Sequence, residues 1–92
     1  MSALKSLTPV VIKADITFDP ASIAANTIQD NTITVPGLLP GYPVHVWAEA
    51  LEAGVVISHA WCSALNTMKL RLANVTTGAI NPASQVFRVI QR

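Results

Sequence analysis

The chain has 92 residues, of which 51% are hydrophobic and only 12% charged, about half the charged share of an ordinary soluble domain. That length holds one domain and excludes two, and six Lys/Arg against five Asp/Glu, scattered singly, leave none of the clustered basic patch that nucleic-acid binding requires. Cys62 is the only cysteine, so no intrachain disulfide is possible, and no stretch reaches the ~18 consecutive apolar residues of a membrane span.

A domain this small has much surface for its volume and cannot hide so many apolar side chains in its own core. Some of them are expected to lie in contacts with other subunits. Residues 1–10 read as a mostly uncharged N-terminal arm, and residues 11–92 as a single domain. Met1–Pro9 lacks the apolar stretch of a signal peptide, so synthesis in the cytoplasm is expected.

From Val11 to Phe18 the set Ile12, Ala14, Ile16, Phe18 alternates with Lys13, Asp15, Thr17, the period of a half-buried strand. Asp19-Pro20-Ala21-Ser22 ends it, and Ile23–Thr27 reads as a loop. Ile28–Val35 is a Thr-rich strand with Ile33 and Val35 on one face; Pro36-Gly37 closes it, and the prolines that follow make a long connection. Val44–Ala50 places Val44, Val46, Ala48 and Ala50 opposite His45, Trp47 and Glu49.

Val55–Cys62, read as a regular strand, sets Val55, Ile57, His59 and Trp61 against Val56, Ser58, Ala60 and Cys62. After a turn at Ser63–Asn66, Thr67–Ala73 points Met68, Leu70 and Leu72 inward and Thr67, Lys69 and Arg71 outward. The turn-rich stretch Asn74–Ser84 leads to a last strand, Gln85–Ile90, in which Phe87 and Val89 form one face while Val86 and Ile90 share the other with Arg88. Six strands separated by turn clusters, with no helix of useful length, predict an all-β antiparallel sandwich.

Chemistry is sparse. His45, His59 and Cys62 are the best metal-ligand candidates, but His59 and Cys62 lie three apart on a strand and face opposite ways. Ser58 or Ser63 with a histidine and one of Asp15, Asp19 or Asp30 supplies the residue types of a hydrolytic triad without any local motif, and Glu49 and Glu52 flank a turn. No enzyme, cofactor or metal site is predicted. Asn74-Val75-Thr76 matches a glycosylation sequon, and local hydrogen bonding in the turn explains those residues better. Trp61 reads as core; Trp47, on a mixed face, reads as an interface anchor.

The order of segments "ADITFDPASIAANT", "TITVPGLLPG" and "LEAGVVISHAWCSALNTMKLRLANVTTGAINPASQVFRVI" resembles a small β-domain of tailed-bacteriophage structural proteins, found both as capsid decoration (cement) proteins and as the C-terminal head of fibre-like proteins. The likeness covers residues 14–90 and rests on Ser22–Asn26, Val35-Pro36-Gly37, "SALNTMKLRL", Asn74-Val75-Thr76 and Ile80–Ser84. It implies a jelly-roll-like sandwich that assembles as a homotrimer, binds the major capsid protein on the outside of the head and has no catalytic activity. With only Met1–Pro9 ahead of the first strand and no shaft, cement is favoured over fibre.

On this reading the subunit interface is expected at Trp47, Val86, Arg88 and Ile90, and the capsid contact at Leu4, Leu7, Val10, Leu38 and Leu39. Nucleic acid and membrane are not expected partners. The other function considered is a receptor- or glycan-binding head of a fibre or tail appendage, for which Trp47, His45 and Tyr42 are the candidate residues.

Overall fold

The alternation of apolar and polar side chains is realised as six strands in a computed structural model that describes residues 12–91. They are β1 (Ile12–Phe18), β2 (Ile28–Thr34), β3 (Val44–Ala48), β4 (Val55–Ala64), β5 (Thr67–Asn74) and β6 (Gln85–Gln91). All pairings are antiparallel and form two three-stranded sheets: sheet I in the order β1-β6-β3 and sheet II in the order β2-β5-β4. The chain is all-β, two sheets closing over one core, and no helix occurs among the described residues. An eight-stranded jelly roll would need two further strands.

The central strand of each sheet, which alone has a neighbour on both sides, supplies half of the buried hydrophobic core. Met68, Leu70 and Leu72 of β5 and Phe87 and Val89 of β6 are fully buried, joined by Ile23, Ile33, Val35, Leu38 and Val55. Each such side chain contributes roughly 1.5–3 kcal/mol on leaving water. The edge strands β1 and β3 pack Ala14, Ile16, Phe18, Val44, Val46 and Ala48 against this layer, with Phe18 edge-to-face on Phe87 at 6.1 Å.

Strand β4 departs from the expected alternation. Its register with β5 shifts between Ile57 and His59 and again between Cys62 and Ala64, so Ser58 and Ser63 are each the extra residue of a bulge. A bulge turns every later side chain over. Ile57, Ala60 and Cys62 therefore pack on the core, whereas His59 and Trp61 lie on the outer face of sheet II, which corrects the reading of Trp61 as core.

Hydrogen-bonded side chains close both ends of the sandwich. At one end Asn66, in the left-handed region at φ 63°, accepts from the Gly37 amide through Oδ1 at 2.8 Å, while its backbone bonds Val35 and Leu38 at 2.9 Å each. There too the buried Gln91 side chain imitates a ladder partner: its Oε1 accepts from Leu39 N at 2.9 Å and its Nε2 donates to Leu39 O at 2.7 Å. At the other end Asn74, 1% exposed, donates from Nδ2 to the carbonyls of Ile23 and Gly78 and accepts at Oδ1 from the amide and hydroxyl of Thr76. Its amide nitrogen is thus buried and engaged, which removes Asn74 as a glycan acceptor in the folded chain.

Candidate interaction surface

Strand pairing decides which side chains meet on the outside of sheet I. Lys13 is opposite Ile90, which is opposite His45; Asp15 is opposite Arg88, which is opposite Trp47; and Thr17 is opposite Val86. All alternate with core-facing neighbours, so all lie on the outer face. The four residues expected at a subunit interface, Trp47, Val86, Arg88 and Ile90, therefore share one surface.

Trp47 is 54% and Val86 46% exposed, high values for large apolar side chains, and Ile90 is half-buried beside them. The Arg88 guanidinium lies over the Trp47 ring at 5.5 Å from its centroid, worth about 0.5–1 kcal/mol at an exposed position. On its other side Arg88 reaches Asp15 at 3.8 Å, with both side chains more than 60% exposed, so that ion pair is loose and weak. A hollow of about 370 Å³ lies over the β1–β6 ladder, lined by Lys13, Asp15, Arg88 and Ile90 with Ala14 and Val89.

The outer face of sheet II is occupied differently. Arg71 donates to both carboxylate oxygens of Asp30, at 2.7 and 3.2 Å, across the β5–β2 ladder. That hydrogen bonding holds the Asp30 carboxyl below the ordinary carboxylate range and raises Arg71. Arg71 also lies 5.2 Å from the centroid of Trp61, which stacks on His59 at 4.9 Å, and Lys69 donates to Thr32. These polar and aromatic groups are largely engaged with one another.

The expected capsid-contact residues divide. Leu38 is 0% exposed and belongs to the core, because the turn after β2 folds it under the Asn66 hook, so it presents nothing to a partner. Leu39 is half-buried, with its backbone held by Gln91. Leu4, Leu7 and Val10 lie outside the described residues, as does the whole expected arm. Ile12 is opposite Gln91, so the described chain begins at the same end as Leu39. Tyr42 and Leu65, 50% and 60% exposed, also lie at that end; sequence reasoning named Tyr42 only for the glycan-binding reading and did not name Leu65, and loop residues carry no alternation that would have shown their exposure.

The candidates for chemistry are dispersed. His45 is on the outer face of sheet I and His59 on that of sheet II, while Cys62 faces inward and its Sγ donates to Ala64 O at 2.9 Å. Asp30 shares a row with His59, but Arg71 stands between them and takes both carboxylate oxygens. Among the described residues no group of three or more His, Cys, Asp or Glu is placed to hold a metal ion. Glu52 is used structurally: its Oε2 accepts from Ala83 N at 2.9 Å and ties the β3–β4 turn to the loop before β6.

These features define a small all-β sandwich whose outer faces both carry apolar and charged side chains, with the exposed tryptophan Trp47 on that of sheet I and Ile28 and Val56 on that of sheet II. Comparison with protein-family models, with curated proteins and with solved structures found no match.

Proposed function

We propose that this chain is a capsid decoration protein of a tailed bacteriophage, which binds the outside of the head across neighbouring major capsid subunits and stabilises the lattice as a homotrimer. The observation that carries the reading is the gathering of Trp47, Val86, Arg88 and Ile90 on one outer face, which leaves a tryptophan, a valine and an arginine exposed on two neighbouring strands. Aromatic and arginine side chains in such a patch are the usual anchors of a protein contact. The resemblance of residues 14–90 to the phage β-domain supports the same reading.

The mechanism is multivalent clamping. A threefold assembly presents three identical weak contacts to a local threefold position, and linking them raises the overall affinity far above that of one. The end that holds Leu39, Tyr42, Leu65 and the start of β1 is the shell-facing end on this reading, with Tyr42 and Leu65 taking the part expected of Leu38. The other reading, a glycan- or receptor-binding head, draws on His45 and Trp47 sharing the outer face of sheet I, although Tyr42 sits away from them at the end of the sandwich.

Light scattering on the purified chain, followed by co-sedimentation with empty heads, tests the proposal. A species near three times the 9.8 kDa chain mass that co-sediments with heads and makes them more resistant to heat is the expected result. A monomer that ignores heads would overturn it, and binding of that monomer to a glycan array would favour the head-domain reading.

A further inference from the structure

The outer face of sheet I is electrically polar along its strands. At the end where Lys13 is opposite Ile90 the described charge is Lys13 itself, and in the middle Asp15 and Arg88 offset each other through their loose ion pair. At the far end Asp19 follows β1 directly and Glu49 follows β3, and both are exposed. Glu49 is kept beside the start of β6 because the next residue, Ala50, donates its amide to Gln85 Oε1 at 3.2 Å. Among the described residues Lys13, Asp19 and Glu49 make no ion pair. Six residues of strand separate Lys13 from Asp19, roughly 20 Å, so the two ends do not neutralise each other.

Ile90 lies beside Lys13 at the basic end, Val86 lies toward the acidic end, and the row between them holds Trp47 with the offsetting Arg88 and Asp15, so the face carries apolar side chains along its length with one basic and one acidic end. We propose that this face is the contact between copies of this chain, arranged so that the Lys13 end of one copy abuts the Asp19 and Glu49 end of the next, with the apolar side chains turned toward each other. The inference rests on the reading of Trp47, Val86, Arg88 and Ile90 as a subunit contact and adds its direction. Three copies satisfy every charged end once when their faces turn inward around an axis and each basic end meets the next copy's acidic end; two copies turned antiparallel face to face satisfy them in a two-fold pair. The hollow is lined by Asp15 as well as by Lys13 and Arg88, so its Lys13 side, away from Asp15, is where an acidic side chain of the neighbour would seat. Like charges brought together at such a contact are strongly disfavoured, so the charges set direction more than they add affinity.

A charge swap tests it by sedimentation equilibrium at low and high salt, with circular dichroism to verify folding. Lys13→Glu makes both ends acidic, and Asp19→Lys with Glu49→Lys makes both basic. Each is expected to raise the dissociation constant of the oligomer about tenfold at low salt, and the effect should shrink as salt shortens the screening length. Combining all three substitutions reverses the polarity and is expected to return the constant to within about threefold of the parent chain. Reversals that leave association unchanged, a triple variant no better than its parts, or a parent chain that stays monomeric would each overturn the proposal. Head binding separates this from the decoration reading. An oligomer that obeys the swap but ignores heads supports the contact and sinks decoration, and one that binds heads but is indifferent to the swap does the opposite.

Discussion

Asn74 shows how one side chain holds a loop that has no regular structure. The segment 75–84 makes no strand, yet the Asn74 side-chain amide, donating two hydrogen bonds and accepting two, binds it to the Ile23 loop and to its own turn. Gly54 is tied to the same cluster: at φ 89° it favours glycine, and an added Cβ would meet the Thr76 methyl group. Replacing Asn74 by Asp keeps the shape but turns the donating nitrogen into an oxygen aimed at two carbonyls in a buried site. Asn74→Asp is expected to cost about 2–4 kcal/mol at neutral pH. Burial and the carbonyls raise the folded-state pKa of the new carboxyl above its unfolded value near 3.9, so the unfolded chain ionises first and the loss grows as pH rises past about 4. Urea unfolding of Asn74→Asp and Asn74→Ala at pH 4 and pH 7 checks this; the alanine variant should show no such extra dependence, and equal behaviour of the two would contradict the account.

Among the elements, β4 is the one whose sequence misleads. Apolar residues occur on both sides of Val55–Cys62, and strict alternation assigns Trp61 to the core with Val55. The inserted Ser58 breaks that parity, so the smaller Ala60 and Cys62 pack inward and the bulkier His59 and Trp61 reach the outer face. If Ser58 is an extra residue in the ladder, deleting it leaves Ile57 opposite Leu72 and His59 opposite Arg71 without turning any side chain over. The deletion is expected to change stability by less than about 1 kcal/mol, since only the local kink and twist are removed. Removing Ala60 instead would reverse the facing of the remaining strand and is expected to abolish cooperative unfolding. Chemical denaturation of the two deletions, with Trp fluorescence as the probe, separates these outcomes.

For the molecule as a whole, the apolar excess is only partly absorbed by the core. The ten buried hydrophobic residues leave Ile28, Trp47, Val56, Val75 and Val86 well exposed on the two outer faces and the loops. A chain that covers such surface by self-association gains stability with concentration, because only the folded form assembles. The midpoint of thermal unfolding is therefore expected to rise by several degrees between micromolar and millimolar chain, and Trp47→Ser should flatten that dependence while leaving the low-concentration midpoint within about 2 °C. Differential scanning calorimetry over that range checks it. A midpoint independent of concentration would count against any contact between copies on this face.

Much of this architecture is legible without coordinates. Strict period-two patterning in β1, β3 and β5 determines those strands, their inner faces and the all-β class, because in a strand alternation and burial are the same fact; β6, apolar on both faces, is legible as a strand but not as to which face is buried. Alternation also placed Trp47 with His45 on one face, and Val86 with Arg88 and Ile90 on another. Pairing was decided only by the tertiary structure: that β6 lies between β1 and β3 is what joins those two sets into one surface and adds Lys13 and Asp15 to it. The two bulges in β4, the burial of Leu38 and the closing roles of Asn74 and Gln91 were likewise tertiary decisions. The bulges depend on the register with β5, and Leu38, Asn74 and Gln91 depend on Asn66, Ile23 and Leu39, all distant in the chain; local periodicity carries no record of which backbone across a ladder or a loop a side chain will meet.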